Sequence, residues 1–326
     1  MATNVRNGKG FEYAVLDAFR EALSSVGVLV EVAESAAYRT AASAFMELGD
    51  KEQANFKAAA RAAAQIIEPL EPRLSVGKSP APLVLHIQKD RKGEEGDVRD
   101  IVCIRSAEGW EIGISCKHNH KGMKHSRHTV DADFGSTWVG VPCSQDFFGK
   151  IAKVMELVEK WEGTLWREHS NKQKDVYQPV LDAYAAEIKR ICDADHDAPA
   201  RLVHYFLGVQ DFYQVIAKDK RARNSAITIE LVAFNLNGTL GQAAAGKRPL
   251  HKVKRVILPD RLLDISMKKN SRTTLVLTFS DAWTVSMRIH NGDKFVKRTG
   301  LKWEIKLDGY QENLFNHTQP VPAAAS

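Results

Sequence analysis

The sequence predicts an α/β protein, a mixed sheet flanked by helices, with a helical insert and a β-rich C-terminal part. Three observations carry this expectation. The first part of the chain is rich in alanine and in apolar residues at helical spacing. Two apolar runs, 101–104 and 110–117, are separated by a short turn and form a candidate β-hairpin. Beyond Lys220 the pattern changes to short apolar runs bounded by turn residues.

In chain order, a helix is expected over 11–25, after Gly8 and Gly10, because Val15, Leu16, Phe19 and Leu23 fall on one stripe. Alanine-rich helical sequence follows over 34–70. It breaks at Gly49-Asp50, where Asp50 can cap the second helix. Pro69, Pro72, Pro80 and Pro82 bracket a loop, and a strand is expected over 83–88 before the hairpin. Helices are expected over 144–162, 177–192 and 200–217. Strands are expected over 227–234, 252–258, 273–279, 283–290 and 302–307. Segment 235–246 is a glycine-rich loop, and the proline-alanine-serine tail 319–326 is expected to fray. The expected domains are a core with N-terminal helices over 1–165, a helical insert over 166–220, a β-rich part over 221–318, and the tail 319–326.

A chain of 326 residues allows one large or two modest domains, and a net charge of +6 permits a polyanionic partner without establishing one. Cys103, Cys116, Cys143 and Cys192 have no paired spacing, which points to reduced thiols. No stretch reaches ~18 uninterrupted apolar residues, and the N-terminus lacks an apolar signal core. A soluble, cytoplasmic protein is expected.

The hairpin carries the chemistry. Asp100 stands at the mouth of its first strand, and Lys117 ends its second. In the second strand Ile112, Ile114 and Cys116 share one face, and Glu111, Gly113, Ser115 and Lys117 share the other. Carboxylate, hydroxyl and lysine on one polar face suit metal-dependent phosphodiester hydrolysis: carboxylates hold Mg²⁺ and a lysine steadies the attacking hydroxide or the developing charge. Catalytic roles are therefore expected for Asp100, Lys117 and Ser115. A serine is a poor Mg²⁺ ligand, so a second carboxylate must come from elsewhere. Glu12 is favoured, because it lies on the inward stripe of the first helix and a buried carboxylate needs a cation. Asp131 or Asp133 comes next. Glu111 comes last, since it stands about 20 Å along the strand from Lys117. Asp97 is expected to be a turn or supporting residue.

At these residues the chain resembles the PD-(D/E)xK nucleases, whose core runs helix, strand, hairpin, helix. Asp100 and Lys117 match the family aspartate and lysine, and Ser115 departs from the usual carboxylate. Glu12-Tyr13-Ala14, Gly96-Asp97-Val98-Arg99-Asp100-Ile101, the run 110–120, Lys124-His125-Ser126-Arg127 and Arg288-Ile289-His290-Asn291-Gly292 resemble the HaeIII-type restriction endonucleases in particular. The likeness spans about residues 10–308. It implies a type II enzyme that cuts duplex DNA at GGCC with Mg²⁺ and leaves 5′-phosphate ends, with a homodimer expected on such a palindrome. It also implies that a carboxylate on the first helix or downstream of the lysine completes the site. The alternatives are a repair or junction-resolving nuclease of the same superfamily, or a non-catalytic DNA-binding module.

Two literal motifs are discounted. Pro259-Asp260 with Glu304-Ile305-Lys306 spells the nuclease pattern, but a complete hairpin intervenes. His118-Asn119-His120 cannot aim three adjacent side chains at one metal. DNA contacts are expected from Lys121, Lys124, Arg127 and His128 after the hairpin, and from Lys252, Lys254 and Arg255. Arg288, His290 and Asn291 are candidate base readers, and Lys268, Lys269 and Arg272 form a further basic run.

Overall fold

The strand that ends on Lys117 lies at the centre of a seven-stranded sheet. The structure, a computed structural model, describes residues 3–77, 80–89, 96–127, 133–219 and 227–322. It divides into two compact bodies. The first comprises Met1–His120, Val209–Val256 and Asn313–Ser326; the second comprises Lys121–Gly208 and Ile257–Glu312. Each body interleaves distant stretches of chain, whereas the segments expected from sequence are contiguous.

In the first body α1 (Thr3–Ser25) precedes β1 (Val30–Ala33), α2 (Ala36–Met46), α3 (Asp50–Ile67) and the short α4 (Pro72–Ser75). β2 (Leu83–Ile87), β3 (Ile101–Arg105) and β4 (Trp110–His118) follow. β6 (Phe212–Asp219), β7 (Ile227–Phe234) and β12 (Asn316–Val321) complete the sheet in the order β1-β2-β3-β4-β6-β7-β12. β1–β2 and β4–β6 are parallel and the other pairs antiparallel, so the sheet is mixed, as expected. Phe11, Val15, Phe19 and Leu23 of α1, with Ala59, Ala60 and Ala63 of α3, pack into one core with Ile112, Ile114 and Cys116 of β4. Alanines let α3 approach closely; a Cβ at Gly10 of α1 would lie 2.9 Å from Leu48 Cδ1 of the connection behind α2.

Several expected elements are corrected. α1 begins at Thr3 and runs through Gly8 and Gly10 rather than starting after them. Gly49, not Asp50, occupies the N-cap of α3, and Asp50 is its first helical residue. The helix expected over 200–217 is instead a helix followed by a strand: α7 (Ala198–Leu207) stops at Gly208, whose φ of +94 is open to glycine, and β6 begins at Phe212. The strand expected over 252–258 is absent. Backbone groups of that segment bond Asn235 instead: Val253 C=O accepts from its side chain, and Val256 N–H donates to its carbonyl. Part of the expected frayed tail is β12, an edge strand that accommodates Pro320.

The second body contains β5 (Gly122–Arg127), α5 (Gln145–Lys160), α6 (Gln178–Ala194) and α7. β8 (Leu262–Met267), β9 (Thr274–Phe279), β10 (Thr284–Asn291) and β11 (Leu301–Gly309) join β5 in an antiparallel sheet of order β5-β11-β10-β9-β8. Along β11, Leu301, Trp303, Ile305 and Leu307 are buried, and Lys302, Glu304 and Lys306 alternate with them on the other face. Trp303 meets Tyr184 of α6 with ring centroids 4.7 Å apart. The polar stretch after Lys117 contains the strand β5.

Candidate active site

Asp100 sits one residue before β3, and its N–H donates to Ile114 C=O, which extends the β3–β4 ladder up to the carboxylate. The side chain therefore lies against the end of β4. Its Oδ2 accepts from Cys116 N–H at 2.6 Å, Lys117 Nζ at 3.1 Å and Ser115 Oγ at 3.2 Å. All three bonds converge on one oxygen; Oδ1 accepts none among the described residues. Lys117 and Asp100 are largely buried, with side-chain exposures of 15% and 22%. Burial opposes the Lys117 charge, but the carboxylates of Asp100 and Glu12 outweigh it and hold its pKa above the ordinary lysine value.

Glu12 arrives from α1. Its side chain is only 8% exposed, and its Oε2 accepts from Lys9 Nζ at 3.1 Å, one helical turn earlier. Burial first, and then the negative charge of Asp100, push its pKa up to about 8; Lys9 and Lys117 pull the other way. Two carboxylates thus feel each other in a poorly hydrated place, with two ammonium groups against them.

The remaining expected residues divide. Glu111, ranked last, is spent on Arg99, whose Nη1 donates to its Oε1 at 2.7 Å. Arg99 also grips Asp97 through Nε at 2.8 Å and Nη2 at 2.8 Å, while Gln88 Nε2 donates to the same carboxylate at 2.9 Å. Gly113 makes this possible: a Cβ there would lie 1.9 Å from Arg99 Cδ. Asp133 belongs to its own loop. Although burial opposes its charge, hydrogen bonds from Ser136 and the Cys143 N–H hold its pKa down at about 2. Asp131 and His128 lie outside the described residues, as do the side chains of Lys124 and Arg127. Lys121, Lys252, Lys254 and Arg255 are exposed, with Arg255 Nη2 donating to Leu236 C=O. Arg288 is exposed, and Asn291 Oδ1 accepts from Tyr177 OH at 3.2 Å.

The discounted nuclease text in the second body fails for a structural reason. β11, which carries Glu304, is flanked by β10 and β5, while the segment after Asp260 leads into β8 beyond β9. His118 is also diverted. Its ring lies edge-on to Phe56, and its Nε2 is 3.0 Å from Asp219 Oδ2 at the end of β6. Asn119 bonds the same carboxylate at 2.7 Å.

Two site residues escaped the sequence reading. Lys9 had a usable signal, its i,i+3 spacing from Glu12. Asp219 had none, because its strand was taken for helix.

A mixed α/β sheet that brings two carboxylates and a largely buried ammonium together at the mouth of a hairpin is equipped as a nuclease is, for hydrolysis of phosphodiesters. The family model for the HaeIII restriction endonuclease matches residues 8–311. The type II restriction enzyme HaeIII of Haemophilus aegyptius is 35% identical over 306 residues, covering 93% of each chain. The chain belongs to the HaeIII restriction endonuclease family. No solved structure gives a significant match. No helix among the described residues is long and apolar enough to cross a membrane.

Proposed function

We infer that this chain, a sequence-specific DNA endonuclease by its family, cuts duplex DNA at GGCC in the cytoplasm. In this reading Mg²⁺ is held by Glu12 and Asp100, and the first body carries a PD-(D/E)xK core. The observation behind the site assignment is the contact of Lys117 Nζ with Asp100 Oδ2 at 3.1 Å, with the buried Glu12 beside them.

The donor set suits Mg²⁺. One Asp100 oxygen is fully occupied by the protein and the other is left for a ligand. The mutual repulsion of Glu12 and Asp100 is relieved by a divalent cation, and Mg²⁺ characteristically takes one or two carboxylates and completes its octahedron with water and phosphate. Bound there, the ion polarises the phosphate and lowers the pKa of a water. Ser115 and the Cys116 N–H fix the Asp100 carboxylate, so Ser115 acts as a positioning residue. Lys117 orients the nucleophile and stabilises charge developing on the phosphate. Lys9 favours the charged form of Glu12. Asp131 is the reserve ligand. Lys121, Lys124, Arg127, His128, Lys252, Lys254 and Arg255 contact the phosphate backbone, and Arg288 and Asn291 the duplex, with a homodimer acting on the palindrome.

The test is digestion of a sequenced linear duplex with Mg²⁺ and with EDTA, followed by sequencing of the ends. Discrete fragments with 5′-phosphate ends inside GGCC are expected with Mg²⁺, and intact DNA with EDTA. Cleavage of branched substrates alone, or a gel shift without cleavage, overturns the reading.

A further inference from the structure

The sheet of the second body has two unlike faces. Leu275, Leu277, Val285, Met287, Ile289 and Trp303 are buried on one. The opposite face carries Ser286, Arg288 and His290 on β10, in register with Lys306, Glu304 and Lys302 on β11. A groove of about 580 Å³ opens on this side. Lys172, Lys268, Lys269, Lys306 and Arg288 line it against one carboxylate, that of Glu304. Glu304 is clasped between two of these cations: Lys306 Nζ lies 3.1 Å from Oε1, and Arg288 Nε lies 3.5 Å from Oε2. The glutamate side chain is 15% exposed and the arginine 50%.

A solvated sheet face needs neither this excess of cations nor a glutamate sunk among them. An ion pair with a half-exposed arginine adds little to the stability of a fold, so folding does not account for it. Nucleic acid does. Lysines around a groove suit phosphates, and long side chains projecting from neighbouring strands suit the base edges that the DNA major groove presents. In that groove guanine offers two acceptors, O6 and N7, and its paired cytosine offers the N4 donor. An arginine beside a carboxylate is the complementary set.

We propose that Arg288 and Glu304, cross-strand partners on β10 and β11, read one G·C base pair in the major groove, with the surrounding lysines holding the flanking phosphates. This rests on the reading of the chain as a duplex-DNA endonuclease. Glu304 carries no catalytic role in it. The guanidinium donates to guanine, and the carboxylate accepts from cytosine while keeping the guanidinium aimed.

The experiment measures binding of the full chain to a short duplex containing GGCC, with Ca²⁺ in place of Mg²⁺. It is repeated on duplexes with 7-deazaguanine at each guanine in turn and with each G·C pair replaced by A·T. The wild-type protein is expected to lose about 10- to 100-fold in affinity on each altered duplex, and the pair read by Arg288 and Glu304 is the one, repeated in each half of the palindrome, at which the variants no longer show that loss. R288Q and R288K lose that discrimination, and R288K keeps the charge and hence the non-specific affinity. In E304Q the amide donates to thymine O4, so E304Q binds the A·T duplex more tightly than wild type does. Wild-type discrimination in all three variants, with unchanged thermal midpoints, overturns the assignment of the base pair alone. If the wild-type protein prefers none of the duplexes and cuts none with Mg²⁺, the endonuclease reading falls with it.

Discussion

The two bodies handle charge in opposite ways. In the first, Asp100, Lys117, Glu12 and Lys9 are mostly buried and satisfied by one another. In the second, lysines and Arg288 line one polar face of a sheet whose reverse is apolar, with Glu304 held between Arg288 and Lys306. Groups that stabilise a transition state gain from exclusion of water, because their interactions strengthen in a low-dielectric place. Groups that must meet a long polyanion gain from being accessible and mutually repulsive. One chain holds both arrangements, a mixed sheet packed against helices and an antiparallel sheet with one polar face.

The contrast is most easily broken at Lys117. K117A is expected to lower cleavage by a thousandfold or more while leaving Ca²⁺-supported DNA binding near wild type. If binding and thermal stability collapse together with cleavage, the lysine is structural and the contrast disappears. A second buried charge in the first body, Glu71, tests how far burial governs this region. Its Oε1 accepts from Tyr213 OH at 2.6 Å and Gly241 N–H at 2.7 Å, and burial raises its pKa to about 7. The unfolded chain releases this proton near pH 4.5 and the folded chain only near 7. The stability it contributes is therefore full below pH 4.5 and is lost as pH rises through 7. E71Q should remove that slope, an effect on the order of 3 kcal/mol between pH 4.5 and 8 in urea melts of the two proteins. Equal slopes would show that Glu71 ionises freely.

Gly113 sharpens the comparison at the level of packing. G113A drives a Cβ into Arg99 and should cost about 1–3 kcal/mol in urea unfolding. G149A meets nothing in helix α5 and should stabilise by about 0.5–1 kcal/mol. A G113A protein no less stable than the G149A protein would mean that Arg99 moves aside freely. E12Q should raise the Mg²⁺ concentration for half-maximal cleavage about tenfold or more, since even loss of a residue that supports a metal ligand costs about 10- to 100-fold in metal affinity; an unchanged Mg²⁺ response transfers the ligand role to Asp131. The smallest effect belongs to the open face. K269A should leave stability within about 0.5 kcal/mol and reduce the salt slope of DNA binding by about 1. An unchanged slope removes Lys269 from the phosphate contacts.

Much of the first body's site was legible because its signals are local. Alternation along β4 put Ser115 and Lys117 on the polar face, and helical spacing turned Glu12 inward with Phe19 and Leu23. Non-local partners were not legible. β6 flanks β4 across nearly a hundred intervening residues, and its aromatic and branched run was absorbed into the apolar stripe of α7. Gly208 was the available stop signal. Glu304 was legible only as a false motif, since its meaning comes from its neighbour across β10. The segment 252–258 had strand-like alternation, but side-chain and backbone bonds to Asn235 claimed it instead.

Because β6 pairs in parallel beside β4, the strand bearing Lys117 gains its second neighbour only after residue 219 has been made. A ribosome that has translated the hairpin has therefore released Asp100 and Lys117 on a strand pair in which the other edge of β4 is still unpaired. Until Phe212–Asp219 emerge, that edge is a row of open backbone donors and acceptors at which the nascent hairpin can pair with another chain.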